Sequence, residues 1–215
     1  MYTELLYPRY RLHHSTVKWL DIFGFLDWPK IWASVHNHLS NETTTSVIWE
    51  LLHLNFDTTY TINRMRRRAD PFPLCGTVPT AVHHVILSCP FIRQLWTDLT
   101  PFLLLVHPDL VTEYEMVFGL EGLSPSVTLR NWLTFKLRQV ATAYEYPASL
   151  HPTGDHLTLL KSRYNRQIQK EVLWKYRFYL HTQQLDTFRR LYQWGDHRLV
   201  DVTPDAVGVA VVFAV

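Results

Sequence analysis

Apolar positions recur at helical spacing along most of this chain. Val17, Leu20, Ile22 and Phe23 predict an amphipathic helix capped by Ser15 and loosened at its end by Gly24. Asp27 marks a second start, because an aspartate caps free N–H groups and Pro29 suits a first turn; Ile31, Trp32, Val35 and Leu39 continue that helix. A polar break from Ser40 to Thr45 leads into a third helix, through Val47, Ile48, Trp49, Leu51 and Leu52 to His53. A fourth, from Thr58 to Arg68, turns Ile62 and Met65 inward and ends in a run of arginines. Phe91, Ile92, Leu95, Trp96 and Leu99 form a strong stripe that ends toward Pro101.

Residues 102–125 mix the apolar run Phe102 to Val106 with Pro108, Gly119, Gly122 and Pro125, which predicts loops and one short helix around Tyr114. Ser126 to Tyr144 reads as a long helix with Leu129, Trp132, Leu133, Phe135 or Lys136, Val140 and Ala143 on one face. Pro147 to Asp155 is turn-rich and is the best candidate boundary. Beyond it, a helical region runs from His156 to about Trp194, carrying Leu160, Tyr164, Ile168, Val172, Trp174, Tyr176, Phe178, Phe188, Leu191 and Trp194. The apolar stretch Val207 to Val215 reads either as an added strand or as read-through past an original end. Together these elements predict a mainly α protein, an irregular helical bundle in three stretches. They are a helical region over 1–105, a helix-and-loop connection over 106–155, and a basic helical region with an apolar tail over 156–215.

Composition adds limits. With 47% hydrophobic residues, 14% aromatics and only 7 glycines in 215 residues, the chain is globular and long enough to bury a core. Its formal charge of +2 is too small to imply a nucleic-acid partner by itself. No run of 18 apolar residues predicts a membrane span, and Met1 is followed by Tyr2-Thr3-Glu4 with no apolar signal core. Two cysteines at this spacing argue for a reducing compartment, so the expectation is an intracellular protein, cytoplasmic or nuclear. No small-molecule substrate is evident.

Candidate chemistry concentrates between Arg66 and Trp96, at residues 70–90. Both cysteines lie there, Cys75 and Cys89, with His84 nine residues after the first and five before the second. Pro73, Cys75, Gly76, His84, Cys89, Pro90 and Trp96 resemble the pattern of the zinc-binding domain that follows the reverse transcriptase in LINE-class (non-LTR) retrotransposons. There, a C-P-x-C-G turn precedes a helix-borne histidine and a Cys-Pro. DWPKIW and IWELLH resemble the segments before that turn, so the likeness covers residues 25 to about 105. A VFGL before a long helix, and Phe188, Leu191 and Trp194 near the end, extend it more weakly.

The resemblance implies a zinc-knuckle-like turn with Cys75, His84 and Cys89 as ligands and Phe72 at the position of the missing fourth. Structural zinc takes thiolates and imidazole in a closed tetrahedron, so three ligands make an incomplete site. Adjacent helical residues point roughly 100° apart, which disfavours His83 as a replacement beside His84. Two states stay open: zinc held on three ligands, or a metal-free turn with Phe72 as core.

The second candidate feature is charge. Arg64, Arg66, Arg67 and Arg68 stand beside the turn, and Lys161 to Arg198 holds nine Lys or Arg against Glu171, Asp186 and Asp196. On a 3.6-residue period Arg163, Arg166, Lys170 and Arg177 share a face, while Lys161 and Lys175 turn aside. Basic residues interleaved with aromatics suit phosphates plus base stacking. An ordinary amphipathic helix with core aromatics gives the same sequence.

No paired-aspartate polymerase motif, D/E-x-K, G-x-S-x-G, G-x-G-x-x-G or P-loop occurs. Other histidines, including His13, His14, His36, His38 and His53, lack a cysteine or paired carboxylate in the sequence to complete a site. The resemblance therefore implies a non-catalytic region of a decayed element, contacting RNA or DNA phosphates without reading sequence. Two other classes fit the same residues. One is a helical protein-interaction or structural domain, the other a hydrolase whose His and Asp residues converge only in three dimensions.

Overall fold

In a computed structural model the chain is mainly helical, with a few short strands near its end. The structure describes residues 14–36, 39, 42–53, 59–143, 155–202, 207–209 and 212. The expectations for Met1 to His13, for 147–154 and for the end of the tail lie outside these residues, as does the side chain of Arg64.

Helix α1 spans His14–Phe23, α2 Trp28–Val35, α3 Glu42–His53 and α4 Thr59–Arg66. After a single 3-10 turn, Val82–Val85, come α5 Pro90–Val106, α6 Glu113–Phe118, α7 Pro125–Thr142, α8 His156–His181 and α9 Leu185–Leu191. Two antiparallel hairpins follow, β1 Gln193–Trp194 with β2 His197–Arg198, and β3 Val200–Val202 with β4 Val207–Val209. The apolar tail thus contributes a strand, with Val200 opposite Val209.

Local signals act as expected at α2, where the Asp27 side chain accepts from the Lys30 N–H and Pro29 sits in the first turn. In α1 the buried stripe differs. Trp19 and Ser15 are buried while Val17 and Ile22 face solvent, because the Trp19 indole reaches the Leu52 carbonyl at 2.9 Å and fixes the helix rotation. Ser15 lies within the helix and not at its cap. The polar break before α3 is itself helical from Glu42, and Thr44 is buried. In α4 the inward residue is Asn63 and Met65 is exposed, since the Asn63 amide pairs with both backbone groups of Asp70 at 2.7 and 3.1 Å.

Helix α5 runs through Pro101 to Val106. Proline there forfeits one backbone bond, but Ile92, Leu95, Trp96, Leu99, Leu103 and Val106 continue the buried stripe across it.

Helix α7 is the centre of the molecule, packed against α3, α5 and α8. The sequence assigned it one apolar face; it is buried nearly all round, and its polar side chains are inside with the apolar ones. Arg130 is fully buried and forked onto Glu115, Nε to Oε1 at 2.6 Å and an Nη to Oε2 at 2.7 Å. Lys136 forms an ion pair with Glu171 of α8, and Glu171 also accepts from the Trp132 indole at 2.9 Å. Asn131 holds the Leu120 backbone through both amide atoms, at 2.6 and 2.8 Å. The neighbouring Gly119 is required: its φ is +81° and an added Cβ would meet Asn131 Oδ1 at 2.9 Å.

Candidate functional site

The segment 70–90 is held at both ends. Asn63 fixes Asp70, and the Trp96 indole donates to the Ile86 carbonyl at 2.8 Å, tying the 3-10 turn to α5. Between them the chain reverses at Gly76, φ +70°, with the Cys75 and Gly76 N–H groups both directed at the Phe72 carbonyl and the Phe72 N–H returned to Thr77 O at 2.7 Å. This folds Cys75 over the turn that carries His84. Cys89 caps α5 just before Pro90, and its N–H bonds to His84 O at 2.9 Å.

The spacing therefore converges in space. Cys75 Sγ lies 3.3 Å from His84 Nε2, and one ligand atom each from Cys75, His84 and Cys89 lie within 4.8 Å of one another, a group that could hold a metal ion. Two thiolates and an imidazole on one tetrahedral ion stand about 3.5–3.8 Å apart, by ordinary zinc–ligand lengths. Among the described residues neither His83 nor Asp70 joins the group. Thr77 Oγ1, 2.8 Å from Cys75 Sγ, is the nearest added polar partner.

Phe72 is fully buried, its ring edge-on to His84. The site's electrostatics follow from that dryness. Burial pushes the Cys89 thiol up to about 12, offset by the Ile92 N–H at the head of α5 and reinforced by Cys75. Burial, then the neighbouring His83, lowers His84, so its ring is neutral and has a lone pair to give a metal.

Of the basic residues beside the turn, Arg66, Arg67 and Arg68 are exposed, and Arg68 sits 3.7 Å from the Asp70 carboxylate. On α8, Arg166, Lys170 and Arg177 face solvent, while Arg163 is half-buried and engaged. Lys161 pairs with Asp98 of α5 at 2.6 Å, and Lys175 is buried, donating to the Leu39 carbonyl at 2.5 Å. Both therefore turn away from the basic face. Glu171, the one acid in α8, is buried, so that helix presents no negative group to solvent.

Two aromatics lie on the exposed side as well. Trp174 and Phe178 are 61% and 52% exposed, with their rings near parallel at 12° and centroids 6.4 Å apart. The sequence left open whether the aromatics of this helix stack bases or fill the core; continuing the stripe from Lys170 by steps of four reaches both. Leu160, Tyr164, Ile168, Val172 and Tyr176 are the hydrophobic core residues of this helix.

No protein-family model, curated protein sequence or solved structure matches the chain. No helix among the described residues is long and apolar enough to cross a membrane.

Proposed function

We propose that the protein binds single-stranded RNA or DNA along the solvent face of α8, without reading sequence and without a catalytic role in that binding. The observation that carries this reading is the coincidence of Arg166, Lys170 and Arg177 with the exposed rings of Trp174 and Phe178 on one stripe lacking any exposed acid. Cations hold the phosphate chain, and flat exposed rings give unpaired bases a surface to stack on. Arg66, Arg67 and Arg68 add a second exposed cationic segment.

The Cys75–His84–Cys89 group belongs to this reading as a structural zinc site that has lost a ligand and binds weakly. What supports it is the resemblance of the turn to the reverse transcriptase zinc-binding domain of LINE-class elements, together with the closeness of the three ligand atoms. On that reading the chain is a fragment of a decayed element. Exposed Leu173 and Leu180 on the same helix favour a second reading, a protein partner docking there. Salt-dependent binding of single-stranded RNA separates the two, since apolar docking changes little with ionic strength.

A further inference from the structure

Away from both the turn and the solvent face of α8, a hydroxyl, an imidazole and a carboxylate form a hydrogen-bonded chain. Ser126 Oγ lies 3.1 Å from His107 Nδ1, and His107 Nε2 lies 3.1 Å from Asp109 Oδ2. With its proton on Nε2, the ring donates to the Asp109 carboxylate, and the Nδ1 lone pair is left to accept the Ser126 O–H. Nucleophile, base and orienting acid then stand in the order that acyl transfer needs.

We propose that Ser126, His107 and Asp109 form a serine-hydrolase site for small acyl esters. Two features beyond the chain itself support a built site. The first is rigidity: the fully buried Arg130, forked onto Glu115, donates to the carbonyls of both His107 and Asp109, the latter at 2.7 Å, so the loop carrying base and acid is clamped from beneath. The second is space, a cleft of about 680 Å³ lined by His107, Ser126 and Trp194.

The chemistry closes on these groups and water. The Ser126 oxygen bonds to the ester carbonyl carbon as its proton passes to His107 Nδ1; negative charge builds on the carbonyl oxygen. The carbon–alkoxy bond then breaks, and the His107 proton leaves with the alcohol. Water attacks the acyl-serine, giving its proton to His107, and the carboxylic acid departs as the proton returns to Ser126. Ser126 lies in the first turn of the 18-residue α7, whose dipole favours the developing negative charge. Asp109 acts as a positioning residue.

The test is covalent labelling of the full chain with a fluorophosphonate reporter, which bonds to an activated serine oxygen with loss of fluoride, followed by peptide mass spectrometry. The adduct is expected on Ser126, absent in Ser126→Ala, and formed about a hundredfold more slowly in His107→Gln, which keeps a polar side chain but no base. Asp109→Asn is expected to slow labelling about tenfold and Asp109→Glu to restore part of it, with melting temperatures unchanged. An adduct on another serine, none at all, or a rate indifferent to His107→Gln and His107→Ala alike would overturn the proposal.

Discussion

The ring of Phe72 stands perpendicular to the imidazole of His84, planes at 89° and centroids 5.3 Å apart. A phenyl edge thus packs against a residue that the zinc pattern would use as a ligand, and the turn is filled by apolar packing. Fully buried, Phe72 should behave as core: Phe72→Ala is expected to destabilise the fold by about 3–5 kcal/mol in denaturant titration. A loss under about 1 kcal/mol would show that the turn does not depend on it.

Returning a thiolate at that position tests the metal reading. A complete structural site binds zinc with roughly 10–16 kcal/mol, and a three-ligand site forgoes much of it. The unaltered protein purified under reducing conditions should carry well under one zinc per chain by elemental analysis, and Phe72→Cys should raise that toward one. One tightly held zinc in the unaltered chain would mean that a fourth ligand exists.

Lys175 gives a pH signature. Burial lowers its ammonium from 10.5 to about 8, opposed by Glu171 and aided by Lys136. Between pH 8 and 10.5 the unfolded chain therefore binds more protons than the folded one, and this residue's contribution to stability rises with pH across that window. Below it the cost of the buried charge is fully present. Lys175→Met should remove this rise, so unfolding free energies of protein and variant measured from pH 7.5 to 9.5 should converge as pH increases. Parallel curves would show that Lys175 is charged throughout.

What the sequence made legible was local. Asp27 and Pro29 start α2 because cap and first turn lie within three residues. The Cys75–His84–Cys89 convergence was readable because one glycine turn and one short helical turn separate the three. What it hid depends on distant partners. Lys136 stood only as an alternative to Phe135 on the apolar face of α7 and Arg130 was not placed on it; their burial depends on Glu171 and Glu115, which lie on other helices. Trp19 displaced Val17 and Ile22 from the core of α1 because its acceptor is Leu52, 33 residues away. Helix α5 outlasted Pro101 because Leu103 and Val106 carry its buried stripe past the proline, a spacing present in the sequence but outweighed in the reading by the proline, and Ser126 met His107 only through the fold.

The most direct test of the binding reading is the affinity for a single-stranded RNA, measured by fluorescence anisotropy across a salt series. Arg166, Lys170 and Arg177, three exposed cations on one face, predict a slope of log affinity against log salt of about −2, at roughly −0.7 per phosphate. Replacing Arg166 and Lys170 by Glu should flatten it to about −0.7 or less without shifting the melting temperature, because both side chains are solvent-facing. An affinity independent of salt, or unchanged by the two reversals, would contradict the account and leave this face to a protein partner.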